Sequence, residues 1–498
     1  MTKTKSWGVL ILLSVLFITG RIGLYGMLMD SVAARDTSSY FSCAGADFTK
    51  VEAYKCNRSA TIPFFISIFN PEVTYDLTVV SEPFFGSAAQ LAVQPGTESL
   101  VIFQTLLSIF SWLIFTLTIV SLLQHELSKI LAMILLFGFA FVPQIADWDS
   151  ILLSESLSFS FFILMITSMI HFLRAIFQPG SLFARLISAF LFLVSAGFWL
   201  FTRDTNAYFI ALLAIVFLLI VILSTVRTHR FQGLSLLLSI CLMGGFVFHQ
   251  VTFRASERWM VPFLNNMAGN VFPYPDRVAF FESKGMPVTD QILSQTGSAE
   301  YNTLSEQSDF MDWAREDGLS TYTKFLIDRP LWSSQQVYLN LDAFFEENVQ
   351  PFFYGDPDEK PHWADQIGNF LHPLSSAVIW IDLILLLILM VYAFRRKDAA
   401  SLTFMILSFL LTAGGVMLMA VAYLGEVRSI WRHVLCGVMP LRLALWIQLV
   451  AILDQALETA PALPVISRFG GSSLQSDSGK IRVDQIINNS HSGNETGE

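Results

Sequence analysis

Ten stretches of this chain stay apolar for about 20 residues each, the length a helix needs to cross a ~30 Å hydrocarbon core. They span 7–29, 101–123, 130–146, 151–173, 182–202, 207–226, 234–253, 374–394, 402–424 and 434–453, the third being the shortest. Composition agrees, with 54% hydrophobic and 14% charged residues, where a soluble domain carries about 25% charged. An all-α polytopic membrane protein is expected, with about ten transmembrane helices and short helices in its extracytoplasmic loops. Residues 7–29 have the look of a secretion signal, but Arg21 interrupts them and no small-residue cleavage site follows, so a retained span is expected.

Lys and Arg collect in cytoplasmic loops. Crossing alternately puts Lys3, Lys5, Lys129, Arg174, Arg185, Arg227, Arg230 and Arg395-Arg396-Lys397 on one side, so both termini are expected to be cytoplasmic. The chain then divides into an N-terminal seven-span module (1–253, first outer loop 30–99), an extracytoplasmic loop (254–372) and a three-span module (373–454). Residues 467–498, rich in Ser, Gly and Asn, hold too little apolar surface to fold alone and are expected to be disordered.

Polar residues concentrate on the opposite, outer face. Residues 254–372 hold 18 acidic against 8 basic residues, a difference equal to the net charge of −10 for the whole chain. Nucleic acid would require the reverse sign. Cys43 and Cys56 share the first outer loop, where an oxidising compartment allows a disulfide, while Cys241 and Cys436 fall in apolar spans and are expected to be buried thiols. Asn57-Arg58-Ser59 matches a short glycosylation sequon. No Cys/His metal spacing, glycine-rich phosphate loop or Gly-x-Ser-x-Gly elbow is present.

Carboxylates recur on that outer face at Asp36, Asp147, Asp149 and Glu155, and cationic groups at Arg58, Arg203, Arg428, Arg432 and His433. Acids beside cations at a membrane surface suit a phosphate-bearing substrate: acids take a proton or a divalent ion, and guanidinium groups grip phosphate oxygens in pairs. Asp36 has a second reading, as the cap of a loop helix. Glu155 falls inside the start of a span, where an ionisable group usually faces protein or a wet cavity, and Arg21 invites an acidic partner within the bundle. The apolar run 62–69 is too short to cross and is expected to lie along the interface, amphipathic or partly embedded.

In their order along the chain, these features resemble the GT-C superfamily of integral membrane glycosyltransferases, which includes protein O-mannosyltransferases, aminoarabinose transferases and oligosaccharyltransferases. The similarity rests on Asp36 with Tyr40 soon after the first span, Arg58 ahead of Pro63-Phe64-Phe65, and the paired acids Asp147-Trp148-Asp149 followed by Leu152-Leu153-Ser154-Glu155. It continues through Thr202-Arg203, the segment Phe325-Leu326-Ile327-Asp328-Arg329-Pro330, and Arg432-His433-Val434-Leu435 running to Pro440. His433 stands where the family usually has Tyr, Cys436 where Pro is common, and Ser156 where Pro is common. With no large soluble domain after the last span, a full oligosaccharyltransferase is not expected.

The resemblance implies a polyprenyl-phosphate-linked sugar donor and a lipid, glycan or protein acceptor, met on the outer face of a membrane, with a bacterial inner membrane as the expected location. It implies Asp36 as the general base. Asp147 and Asp149 would bind a divalent cation such as Mg or Mn, or position the acceptor if the enzyme is metal-independent. Tyr40, Arg58, Glu155, Arg203, Arg432 and His433 would contact substrate, and direct displacement would invert the anomeric carbon. The rival reading is a multi-pass transporter of a lipid or anionic solute. Transporter sites, however, tend to lie at the midplane between repeated halves, and this chain has no internal repeat.

Overall fold

In lipid, backbone polar groups find partners only within regular structure, and the apolar stretches accordingly form long helices. The computed structural model describes residues 3–25, 31–72, 74–79, 92–177, 181–228, 232–297, 302–346, 349–352, 362–428 and 430–459. The tail 467–498 lies outside the described residues.

The first half contains α1 (Lys3–Tyr25), α2 (Thr37–Ala44), α3 (Thr61–Phe69), α4 (Glu98–Leu122), α5 (Glu126–Phe141), α6 (Pro143–Ala146), α7 (Ser154–Phe177), α8 (Leu182–Leu200), α9 (Asn206–Thr228) and α10 (Gly233–Ala255). A two-stranded antiparallel ribbon, β1 (Thr78–Val79) with β2 (Ala92–Val93), precedes α4. The outer segment is built of short helices: α11 (Met260–Asn266), α12 (Pro275–Glu282), α13 (Asp290–Leu293), α14 (Asn302–Ser305), α15 (Ser308–Trp313), α16 (Leu319–Asp328), α17 (Pro330–Leu339), α18 (Leu341–Glu346) and α19 (His362–Leu371). Three long helices close the chain: α20 (Ala377–Arg396), α21 (Ala399–Gly425) and α22 (Ile430–Thr459).

Among the described residues, nine helices are long and apolar enough to cross a membrane. The bent pair of Glu126–Phe141 with Pro143–Ser150 makes a tenth if it is counted as one span; it turns through 54° at Val142, where Pro143 starts a new helix. The chain is a multi-pass membrane protein. Alternate ends of the spans gather as the hydropathy pattern requires. At one end, Asp454 near the close of α22 accepts from the amides of Gln124 and His125 before α5 (2.8–3.2 Å), and Arg396 pairs with Asp398 (3.0 Å) and Glu458. At the other end the start of α22 meets the first outer loop.

Tight helix contact fixes the last two spans. A methyl group added at Gly437 would stand 2.5 Å from the carbonyl oxygen of Gly415, so the α21–α22 crossing depends on small residues, as is common where helices pack within lipid. Cys241 departs from expectation. It is exposed on α10, whose apolar face is turned outward because the surrounding solvent is hydrocarbon, while Cys436 is buried as expected. Cys43 and Cys56 form a disulfide, with a Cα–Cα distance of 5.9 Å. The short run after Arg58 is embedded: Phe65 of α3 packs against Phe103, Phe161 and Phe198, with ring centroids 4.8–5.9 Å apart.

The short helices after α10 have their own core, in which Phe263, Phe281, Phe310, Trp313, Tyr322 and Phe325 are buried. They grip the end of α21. Tyr322 Oη donates to the carbonyl of Leu424 (2.8 Å), Asn266 Nδ2 to that of Gly425 (2.7 Å), and Asn265 Nδ2 to the Glu426 carboxylate (3.1 and 3.2 Å). That grip sets the turn leading into Arg432.

Candidate functional site

Backbone pairing brings the first outer loop to the acidic turn. The Val32 amide donates to the Ser150 carbonyl and the Leu152 amide to the Val32 carbonyl, both at 2.9 Å. Thr37 Oγ1 donates to the carbonyl of Leu152 (3.1 Å). These bonds place Asp36 beside the start of α7, where Glu155 sits in the first turn.

Asp36 occupies the N-cap position of α2, yet its side chain makes no capping bond. Both carboxylate oxygens face guanidinium groups instead: Arg58 Nη2 donates to Oδ1 at 2.9 Å and Arg432 Nη1 to Oδ2 at 2.7 Å. The capping reading therefore fails. Arg432 uses a second edge as well, its Nε donating to Glu155 Oε1 at 2.7 Å, and Arg203 stands 3.6 Å from that same oxygen. Residues from five separate segments thus meet at one end of the bundle. Glu155 is fully buried, Arg432 and Arg203 nearly so, and Asp36 and Arg58 are about one-third exposed. The cluster is deep on one side and open on the other.

Three arginines against two carboxylates leave one surplus positive charge. Burial alone would raise the Asp36 pKa, but the charges of Arg432 and Arg58 outweigh it and hold the carboxyl below its ordinary range. Asp36 is ionised at any neutral pH. The ring of Tyr40, buried in α2, lies 5.3 Å from the Arg58 guanidinium, and burial pushes its phenol upward. His433 follows Arg432 on α22, and its carbonyl accepts from Cys436 Sγ (3.2 Å).

Asp147 and Asp149 lie in one 3-10 turn, both buried, and reach different partners. Asp149 is paired with Arg21 of α1 and accepts from Ser156 Oγ (2.6 Å). The same guanidinium donates to the Ala140 carbonyl (2.6 Å) and to Ser108 Oγ (3.2 Å). Asp147 accepts from Gln350 Nε2 at 3.4 Å. A divalent ion at Asp149 would have to displace Arg21. Among the described residues no three His, Cys, Asp or Glu side chains come together as an ion site. Trp148 is buried, its ring 6.2 Å from Phe352 and 6.4 Å from Trp431. The Arg432 guanidinium lies 6.0 Å from the Phe352 ring, so residues 349–352 form one wall of the site.

Sequence reasoning missed Asp204, His249, Arg258 and Ser59, which form a second polar cluster behind Arg58. Asp204 Oδ1 accepts from Ser59 Oγ and faces His249 Nε2 and Arg258 Nη2, each at 3.1 Å. Burial would raise Asp204, but the Arg258 charge and the His249 bond outweigh it and lower its pKa. The only available signal was that Asp204 adjoins Arg203 in the turn between α8 and α9.

No family model matches the sequence, and no curated protein matches it. Solved structures do: the chain is similar in fold to archaeal oligosaccharyltransferases. The Archaeoglobus fulgidus oligosaccharyltransferase tethered to an acceptor peptide containing the NVT sequon aligns over 91% of this chain at 13% identity and a TM-score of 0.41. AglB from the same organism, in complex with an inhibitory peptide and a dolichol-phosphate, aligns over 93% at 12% identity and a TM-score of 0.41. The alignments cover 50% and 52% of those chains, so this chain spans about half their length.

Proposed function

We propose that this chain is a membrane glycosyltransferase that moves a sugar from a polyprenyl-phosphate-linked donor to an acceptor at the outer face, with Asp36 as general base. The observation that carries the reading is the half-open cluster of Arg58, Arg203 and Arg432 around Asp36 and Glu155, with its surplus positive charge. Against a transporter stands the cluster's position at the end of the bundle, away from the midplane where transport sites lie.

Without substrate, the two carboxylates hold the guanidinium groups in place. A donor phosphate offers oxygens of matching geometry and charge-assisted bonds of similar strength. Binding to Arg58 and Arg432 neutralises the charges that lower Asp36, so its affinity for a proton rises as the donor arrives. The acceptor's hydroxyl or amide then forms a bond to the anomeric carbon while the bond from that carbon to the phosphate oxygen breaks. The electron pair leaves with the polyprenyl phosphate, and the acceptor proton passes to Asp36. Arg432, Arg58 and Arg203 stabilise the charge growing on the leaving phosphate, where fixed donors in a partly dry site are most effective. Tyr40 supports the Arg58 guanidinium from below, Glu155 aims Arg432, and His433 borders the pocket. Attack opposite the leaving group inverts the anomeric carbon. Asp147, bonded to Gln350 on the wall, positions the acceptor, and no step here passes through a metal ion.

The test is Asp36→Asn in proteoliposomes supplied with a radiolabelled polyprenyl-phosphate sugar and an acceptor extract. Transfer should fall at least about a hundredfold, the usual range for loss of a general base, while donor binding persists. Turnover at the wild-type rate would refute the role of Asp36.

A further inference from the structure

We infer that Arg258, outside the substrate cluster, is a positioning residue that sets where Arg58 stands; this rests on the proposed transfer reaction. Arg258 lies just beyond α10 and is almost fully buried. Its Nη1 donates toward three carbonyls of one short segment, those of Tyr54 (3.2 Å), Cys56 (3.2 Å) and Arg58 (3.3 Å). One terminal nitrogen, its two N–H groups shared among three acceptors, thus gathers alternate carbonyls into an arc, and the arc ends at the residue whose side chain holds Asp36. Its other terminal nitrogen faces Asp204 at 3.1 Å, one residue from Arg203 of the cluster.

Three further observations point the same way. Glu257, next to Arg258, has φ +54°, a left-handed conformation that costs a non-glycine residue about 1 kcal/mol or more. It lies in the turn between α10 and α11, next to the residue whose guanidinium reaches the carbonyls of Tyr54, Cys56 and Arg58. The gathered segment is also tied on its N-terminal side by the Cys43–Cys56 disulfide and on its C-terminal side by Thr61, whose amide and hydroxyl donate to the carbonyls of Phe201 (3.0 Å) and Phe198 (2.7 Å). Between those anchors, the Arg58 carbonyl rests on Arg258 and the Ser59 hydroxyl on Asp204. Finally, Asp204 receives Ser59 and His249 besides Arg258, so the same carboxylate that neutralises the buried guanidinium also holds the residue after Arg58.

The experiment uses the full-length chain in proteoliposomes, with Arg258→Gln, the milder Arg258→Lys, Arg58→Gln, and the double variant Arg258→Gln/Arg58→Gln. Two quantities are read: backbone hydrogen exchange of residues 54–60, and KM against kcat for the labelled polyprenyl-phosphate sugar. Arg258→Gln is expected to speed exchange of that segment at least about tenfold, and to lower kcat/KM for the donor about tenfold through both a higher KM and a lower kcat, because Arg58 contacts the phosphate in the transition state as well. Arg258→Lys keeps the charge, but its single nitrogen cannot serve Asp204 and the three carbonyls at once, and it should fall between. Because Arg258 acts through Arg58, the double variant should show the KM of Arg58→Gln alone. Unchanged exchange, or a double variant whose KM is the product of the two single effects, overturns the inference. If the wild-type chain transfers no sugar but Arg258→Gln still loosens 54–60, the proposed reaction is what fails, and the clamp stands.

Discussion

Arg432 bridges two acids with two edges of one planar group, and that geometry makes an Arg432→Lys exchange far from conservative. The Nη1 bond to Asp36 and the Nε bond to Glu155 are both 2.7 Å long. An ammonium is a point charge and can keep one of them well placed. A hydrogen bond to a charged group is worth about 1.5–3 kcal/mol. The bond to Asp36 faces partial solvent and belongs at the lower end, so Arg432→Lys should cost about 2 kcal/mol. Arg432→Gln removes the charge too and leaves Glu155, with no exposed side-chain surface, dependent on Arg203 at 3.6 Å. Breaking a buried pair in this way costs roughly 3–5 kcal/mol. Thermal unfolding in detergent should rank wild type above Lys above Gln. In the transfer assay the quantity lost is one charged hydrogen bond to the leaving phosphate, again about 2 kcal/mol, which corresponds to roughly a 30-fold drop in kcat/KM for Lys. Combining Arg432→Gln with Glu155→Gln should recover stability, because the stranded carboxylate goes as well. If Arg432→Lys matches wild type in both assays, or if the double variant is the sum of the singles to within about 0.5 kcal/mol, the bridging role is refuted.

Glu426, between α21 and the turn to Arg432, gives a pH prediction: burial pushes its carboxyl up to about 7 from 4.5. The folded state then binds a proton that the unfolded chain has released, so stability falls as pH rises from about 4.5 through 7. Glu426→Gln should flatten that decline in unfolding curves, and an unchanged pH profile would refute it. Chelators should leave transfer undiminished, since Asp149 is engaged by Arg21; a chelation-sensitive rate restored by magnesium or manganese would reverse that expectation. For topology, single cysteines at Ser294 and Lys397 should react with membrane-impermeant maleimide from opposite sides of the bilayer, Ser294 from the outer one. Labelling of Ser294 from the cytoplasmic side would place the whole site on the wrong face.

Hydropathy made the spans legible because length and apolarity are local properties, and all ten stretches correspond to long helices or to the bent pair. Asp36, Glu155, Arg203 and Arg432 could be singled out because each sits where a polar residue is costly or where a span meets water. Partnerships were another matter. Arg21 and Asp149 are separated by 128 positions, and nothing near either residue says that they meet; the resemblance treats Asp147 and Asp149 as a pair, and the turn gives them the separate partners Gln350 and Arg21. Arg258 was hidden among the charges of an acidic loop, its importance residing in three carbonyls some 200 positions away. The exposure of Cys241 was misjudged because a span's sequence does not tell which face meets lipid and which meets protein.

The Arg21–Asp149 pair also dictates an order of assembly. Synthesis delivers Arg21 128 residues ahead of its partner, an interval of roughly 6–26 s at ~5–20 residues per second. During that time α1 holds a guanidinium that hydrocarbon will not accept, and its long stem lets the charge reach the headgroup layer. α1 can settle to its final depth only when α4, α5 and the acidic turn have arrived to supply Ser108, Ala140 and Asp149. α1 therefore docks after α4 and α5, although it precedes both in the sequence.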